Sequence, residues 1–266
     1  MFWDIFKKKR QYNHYLALCC IIKDEIPYLK EWIEYHSFIG VSKFYIYENE
    51  CSSSVEEFLL PYIEQGLVHV EHISGKGMQL KAYNNCLKKF KNEAQWIGFI
   101  DVDEFIVPKS NPDLRKFLKD YEDFGGLGIN WLVFGSNGHI TKPIGLQTKN
   151  FTKRSLSLHP TNQHIKTIVQ TKHVKKARTP HHFSYKIGKI CVDENKKRIK
   201  GPFSINSTGK IQINHYYLRS LQEFKEKMIR GMGDGGGSRT LNNFYDMDRD
   251  GNLVTDESII KLWNPQ

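Results

Sequence analysis

Trp96-Ile97-Gly98-Phe99-Ile100-Asp101-Val102-Asp103-Glu104-Phe105 is an apolar run that delivers two carboxylates at the point where a strand would end. In a strand, side chains at i and i+2 share a face. Asp101 and Asp103 can therefore converge on one hard divalent cation, which prefers oxygen ligands. Parallel α/β sheets bind their ligands outside the carboxyl ends of the strands. A cation held there can neutralise a diphosphate leaving group. Acid pairs are also common in loops, where they cap turns and helices. The apolar strand before this pair, and Phe105-Ile106-Val107 after it, sharpen the metal reading.

Upstream, the pattern repeats. Leu16 to Ile22 is short, apolar and continuous, as expected of a strand buried on both faces. Pro27 fits a first helical turn, and Leu29, Trp32, Ile33 and His36 form a stripe that stops at Gly40. Phe44 to Tyr47 reads as a second strand. Ser52 to Ser54 can cap a helix from Val55 to Gln65. Leu67 to Ile73 is a third strand, Met78 to Phe90 a helix, and Trp96 to Ile100 the fourth strand. Alternation of this kind predicts a parallel sheet with helices on both faces, a Rossmann-like half that binds nucleotides.

Downstream the regularity weakens. A helix is expected over Asp113 to Tyr121, a strand over Leu127 to Phe134, short strands and loops from Ile140 to Ile199, a strand over Ile211 to Tyr217 and a helix over Leu221 to Ile229. Gly231 to Gly237 holds five glycines and can hardly keep one conformation. No internal repeat is present. The chain divides into an aromatic and basic segment (1–14), the Rossmann-like half (15–107), an acceptor-side half of the same domain (108–230) and a glycine-rich loop with tail (231–266).

An apolar fraction of 39% over 266 residues is ample for a core and excludes a disordered chain. The formal charge is +10, and 11 Lys or Arg fall between Ile165 and Lys200 beside only Asp193 and Glu194. Such a stretch is either a solvated face or a surface for an anionic partner. Five cysteines, with Cys19 and Cys20 inside an apolar run and no C-x-x-C, predict free thiols, a reducing compartment and no zinc site. Phe2, Trp3, Ile5 and Phe6 precede Lys7-Lys8-Lys9-Arg10, the wrong order for a signal peptide. That segment either packs or frays, or rests on an anionic membrane surface. No run of about 18 apolar residues exists to span a bilayer.

Four ordered motifs resemble glycosyltransferase family 92 and the related family 2. They are Lys23-Asp24-Glu25 leading to Glu31-Trp32, Tyr35-His36 and Gly40-Val41; Asp101 to Phe105; Trp131-Leu132-Val133-Phe134-Gly135-Ser136; and His215-Tyr216 with Arg219-Ser220, followed by Phe224 and Lys227. The similarity runs from about Tyr15 to Met228. It implies a GT-A fold, that is, a Rossmann-like α/β half with a mixed sheet plus an irregular acceptor side. It also implies a nucleotide-diphosphate sugar donor and a divalent ion, Mn2+ or Mg2+.

The resemblance assigns Asp101, Asp103 and His215 to the ion, with neutral imidazole a competent ligand. It places Asp24, Glu25 and Glu48 at strand tips that grip base and ribose, whose N–H and hydroxyl groups are donors. Lys81, Tyr83 and Asn84 can reach the donor from beside the sheet. Trp131, Phe134, Gly135 and Ser136 shape the sugar and acceptor pocket, where aromatic faces stack on sugar C–H surfaces. Each has a structural alternative: helix-terminal charge for Asp24 and Glu25, a solvated face for Lys81 and Asn84, and core packing for Trp131 and Phe134. Gly231 to Gly237, flanked by Arg230 and Arg239, is either a lid whose amides and arginines hold diphosphate or a loop without a role. The family mostly inverts, which needs a general base. No acid in the second half has a distinctive context, and Asp234 is the candidate.

Asp246-Met247-Asp248-Arg249-Asp250-Gly251 with Glu257 fits the EF-hand calcium pattern. One copy beside a glycine-rich segment argues against it. A nucleic-acid-binding module is disfavoured because the aromatics lie in apolar runs rather than among the basic residues. A non-catalytic carbohydrate-binding relative is disfavoured by the intact Asp101/Asp103 pair. The expectation is a metal-dependent transferase of bacterial surface polysaccharide or lipopolysaccharide synthesis. It would be cytoplasmic or peripheral at the inner membrane face, with a glycan or lipid-linked glycan acceptor.

Overall fold

The structure is a computed structural model that describes residues 10–231 and 235–265. The first half runs β1 (His14–Ile22), α1 (Ile26–Phe38), β2 (Lys43–Glu48), α2 (Val55–Glu64), β3 (Val68–His72), α3 (Gln79–Phe90), β4 (Ala94–Phe99) and β5 (Glu104–Pro108). The second half contains α4 (Leu114–Lys119), β6 (Gly126–Val133), α5 (Gln147–Asn150), β7 (Lys153–Arg154), a 3-10 turn (Pro160–Gln163), β8 (Ile165–Gln170), β9 (Val174–Ala177), β10 (Phe183–Tyr185), β11 (Cys191–Val192) and β12 (Arg198–Ile199). It ends with β13 (Ile211–His215), α6 (Leu221–Arg230), α7 (Leu241–Gly251), β14 (Val254–Thr255) and α8 (Ser258–Leu262). The aromatic part of the N-terminal segment (1–9) lies outside the described residues.

Ten of these strands form one mixed sheet. Its order is β12-β11-β6-β8-β4-β1-β2-β3, with β13 joining β6 to β5. The β4-β1-β2-β3 block is parallel, with Leu18 beside Gly98 and Phe44. The inner strands β1, β2 and β4 are largely apolar because helices cover both faces, whereas the edge strand β3 alternates apolar and polar residues. Gly98 is required there, since a Cβ would come within 2.6 Å of the Leu18 side chain. β8 enters antiparallel between β4 and β6. The expected fold class, α/β with a Rossmann-like half and a mixed sheet, is the one the chain forms.

At Trp131 the strand β6 changes neighbour. Gly126 to Asn130 pair with β8, whereas Trp131 to Val133 pair in parallel with β13. β13 in turn runs antiparallel to β5, setting His215 opposite Glu104. Among the described residues β5 has no strand on its other edge, and α1 takes that place with side chains. Trp32 Nε1 donates to the Glu104 carbonyl (3.0 Å), Tyr35 OH donates to the Ile106 carbonyl (2.7 Å), and His36 Nε2 accepts the Ile106 N–H (3.3 Å). Buried backbone groups must find partners, so the Trp32-Tyr35-His36 signature fixes the strand that follows the acidic turn. His36 is fully buried, and burial pushes its imidazole down to about 3, so it stays neutral and able to accept. Glu31 caps α5 by accepting the Gln147 and Thr148 N–H groups, each at 2.9 Å.

All five cysteines are free, and Cys19, Cys20, Cys86 and Cys191 are buried as small hydrophobes. Among the described residues no helix is long and apolar enough to cross a membrane. The acidic segment 246–251 is helical, within α7, rather than a calcium loop. Asp248 accepts the Ser136 N–H, Asp246 and Asp250 share Arg249, and Asp250 also faces His159, so the carboxylates are engaged by protein partners within a helix.

Candidate active site

A cavity of about 570 Å³ opens at the carboxyl ends of β1 and β4. Its carboxylates, among the described residues, are Glu25, Asp101 and Asp103. Residues 101–103 form a turn, closed by Glu104 N–H on the Asp101 carbonyl (3.0 Å), rather than the end of a strand. The expectation that both carboxylates share one strand face therefore fails, and they are dealt to different partners. Asp101 Oδ2 accepts from Lys166 Nζ at 2.7 Å, while its Oδ1 accepts from Gln79 Nε2 at 2.7 Å and Tyr83 OH at 3.3 Å. Asp103 Oδ2 accepts from Lys227 Nζ at 2.6 Å, and its Oδ1 lies 3.7 Å from His215 Nε2.

Both lysines are buried. Burial opposes the charge on Lys166, but Asp101 and Glu104 outweigh it and raise its affinity for the proton. Burial dominates at Lys227 and pulls it down to about 8, with Asp103 pulling back. Burial would push Asp103 up, yet Lys227, His215 and Arg219 hold it well below the carboxylate range, so it is ionised. Glu104 is fully buried, and burial together with Asp101 and Asp103 pushes it well up against the pull of Lys166. His215 is pushed down to about 3, chiefly by burial, and presents neutral imidazole.

Among the described residues no three His, Cys, Asp or Glu side chains gather as an ion-holding group. Of the expected Asp101, Asp103 and His215, all three line the cavity, and Asp103 and His215 face each other directly. Asp103 Oδ1 and His215 Nε2 are a carboxylate oxygen and a neutral nitrogen on one cavity wall, a donor set that suits a divalent ion. Asp101 has both oxygens committed to protein donors.

Of the other expected residues, Glu25 and Trp131 line the cavity. Glu25 is paired with Arg230 (3.1 Å) and lies 3.6 Å from Arg219. Six do not line it. Asp24 sits in the left-handed region (φ 52°) and accepts the Ser52 N–H, tying two loops together. Glu48 accepts the Cys51 N–H and contacts His72. Lys81 is exposed on α3. Asn84 exchanges hydrogen bonds with the backbone of Ala177. Gly135 packs on Asn252 and donates its N–H to the Gly251 carbonyl, and Ser136 is held by Asp248. Apart from the exposed Lys81, these positions serve contacts between neighbouring segments rather than the cavity. Asp234 lies outside the described residues.

Several lining residues were not among the expected donor or metal residues: Lys23, Asn49, Gln79, Lys166 and Tyr217. Of the 11 basic residues between Ile165 and Lys200, Lys166 is the one that lines the cavity. It stands at an apolar position of β8, and a lysine inside an apolar strand was the available clue. The glycine-rich segment does reach the site. Gly231, Gly235, Gly237, Arg230 and Arg239 line it, and a Cβ at Gly235 would come within 3.2 Å of Gly77 across the opening.

A glycosyltransferase family 92 protein of Oryza sativa subsp. japonica is 28% identical over 228 residues, covering 83% of this chain and 36% of the relative. The galactan β-1,4-galactosyltransferase GALS2 of Arabidopsis thaliana is 28% identical over 118 residues, covering 41% of this chain and 23% of that protein. The crystal structure of S. aureus TarS in complex with UDP-GlcNAc superposes with a TM-score of 0.41 at 14% identity, covering 59% of this chain and 45% of TarS. The chain spans little more than a third of the length of the curated family relatives it matches. The sequence model of glycosyltransferase family 92 matches residues 14–260, nearly the whole chain, and the chain belongs to that family.

Proposed function

We propose that this chain transfers a sugar from a nucleotide-diphosphate donor to an acceptor hydroxyl of a glycan, free or lipid-linked. The observation that carries the reading is the wall where Asp103 and His215 face a cavity also lined by Arg230 and Arg239. A diphosphate needs such concentrated positive charge. A divalent ion, manganese or magnesium, would be held by Asp103 and His215 and would offset the charge of the departing diphosphate. Lys227 keeps Asp103 ionised and fixed, and Lys166 does the same for the turn through Asp101. Arg230 and Arg239 take the phosphate oxygens, and preorganised cations of this kind act without reorganisation cost. Lys23, Asn49 and Gly75 to Gly77 line the part of the cavity nearest the tips of β1 and β2, and they receive the nucleoside. Trp131 and His181 face the sugar. Transfer is proposed to invert the anomeric carbon.

Three of the Arabidopsis thaliana relatives are galactan β-1,4-galactosyltransferases, which makes UDP-galactose the first donor to try. A thermal-shift panel of nucleoside diphosphates and their sugars, with manganese and with EDTA, tests the reading. A ligand at about 100 times its dissociation constant adds roughly 2.7 kcal/mol of stability. A manganese-dependent rise with one nucleotide, absent in Asp103→Ala, is expected. No shift with any nucleotide, with or without metal, would sink the proposal.

A further inference from the structure

Two loop tips project apolar side chains from the second half. Leu156 (56% exposed) and Leu158 (81%) follow β7, and Phe203 (51%) and Ile205 (85%) follow β12. The 3-10 turn ties the tips to each other. Buried Asn162 donates from Nδ2 to the Leu156 carbonyl and to Ser155 Oγ, each at 2.9 Å, and the Ser204 N–H donates to the Gln163 carbonyl at 2.9 Å. Asn130, also buried, donates to the Ser204 carbonyl at 3.3 Å. Buried amides thus hold both tips outward, so their exposure is built into the fold. Apolar side chains kept in water cost free energy, and a group of them marks a surface that meets a partner.

The charge around the tips has one sign. Between residues 151 and 210 the acids are Asp193 and Glu194, and both are buried. Glu194 is spent inside, accepting the Gly209 N–H at 2.8 Å, the Lys210 N–H at 2.7 Å and the Ile211 N–H at 2.9 Å. Lys153 stands before the first tip, and Arg198 and Lys200 stand before the second; all three are exposed. Asp250, which approaches His159 at the margin, is paired with Arg249 at 3.3 Å. Aliphatic tips flanked by bases suit the boundary of a bilayer. Its anionic headgroups meet the bases while its acyl region takes the side chains. Single-stranded nucleic acid would call for aromatic platforms where Leu158 and Ile205 stand.

We infer that these two tips form a docking surface for a membrane that carries anionic lipid. The surface stands on its own observations and does not need the transferase reading. Its place in the fold nonetheless bears on the cavity. The Phe203 and His164 rings meet edge-on with centroids 4.6 Å apart, and His164 stacks on Trp131 at 4.8 Å. Trp131 lines the cavity, so a bilayer docked on the tips lies beside it. A lipid-linked substrate then reaches the cavity without leaving the membrane.

The test is flotation of the whole chain with vesicles of phosphatidylcholine alone, and of phosphatidylcholine with about one third phosphatidylglycerol. The wild type should float with the anionic vesicles, less so as salt rises, and stay behind with the neutral ones. Leu158→Asp/Ile205→Asp and, separately, Arg198→Glu/Lys200→Glu should each weaken vesicle affinity by about tenfold or more. Leu60→Asp serves as the control. It replaces another exposed apolar side chain, on α2 beside β3, at the far end of the sheet from β12. It should float as the wild type does. Residues 1–9 are present in every variant, and an unchanged melting temperature shows that each is folded. No flotation of the wild type with anionic vesicles would overturn the inference. Flotation undiminished in both double variants would place the binding elsewhere in the chain and overturn it too, as would an equal loss in Leu60→Asp. Equal flotation with neutral vesicles would overturn the anionic requirement. Retention on random-sequence DNA, or self-association, lost in the same variants while vesicles stay unbound, would assign the surface to a different partner and overturn the membrane.

Discussion

The two halves of the molecule bring different charges to the cavity: the first supplies the described carboxylates together with Lys23 and Lys76, whereas the charged groups the second half brings are cations. The first half contributes all three described carboxylates, Glu25, Asp101 and Asp103, on turns after regular parallel strands. The second half contributes the cations that meet them, Lys166, Lys227 and Arg230, from a short antiparallel strand and one helix. The first set follows from where strands end, and the second from which elements happen to pack above those ends. The site is an ion-pair interface between the halves, so its chemistry and its stability cannot be separated.

The largest test of that contrast sets Asp103 against Asp101. Asp103→Ala should lower turnover by about three orders of magnitude, the scale seen when one preorganised electrostatic partner is lost. Asp101→Asn, whose carboxylate is occupied by Lys166, Gln79 and Tyr83, should cost about tenfold and leave manganese-dependent nucleotide binding in place. Equal losses in steady-state assays would show that both acids ligate the ion. Lys227→Met should come next, because it strands a buried carboxylate. Removing one partner of a buried pair costs about 3–5 kcal/mol, and the double variant Asp103→Leu/Lys227→Met should recover much of it in chemical denaturation.

Acid should weaken the fold through its buried histidines. Burial lowers His36, His181 and His215 to about 3 each, against 6.5 for the ordinary side chain. The unfolded chain takes up protons that the folded one refuses. The stability is therefore complete above about pH 6.5 and is lost as the pH falls toward 3. At pH 5 each such histidine costs about 2 kcal/mol, from 1.36 kcal/mol per unit. Urea midpoints at pH 7.5 and pH 5 measure the sum, and a flat profile would mean that these imidazoles are solvated. Trp32→Phe should lose about 1 kcal/mol by leaving the Glu104 carbonyl without its donor. The smallest effect is expected from Glu48→Gln: under about 1 kcal/mol of stability, and no change in nucleotide Kd. A tenfold weaker Kd there would return Glu48 to the donor site.

The apolar runs at Leu16 to Ile22, Phe44 to Tyr47 and Trp96 to Ile100, with helical stripes between them, determined a parallel α/β half and put Asp101 and Asp103 after its fourth strand. Local periodicity suffices for this, because a strand buried on both faces must be apolar throughout. The ordered motifs were legible too, but not what each residue in them does. Trp32, Tyr35 and His36 proved to hold the free edge of β5, while Asp24, Glu48, Gly135 and Ser136 tie loops. Lys166 is 65 residues from the carboxylate it meets, and Lys227 is 124 from its own. α7 hid behind a pattern of alternating acids. Only the tertiary structure decided these roles. A buried charge is tolerable solely beside its partner, and sequence spacing carries no information about which distant segment supplies that partner.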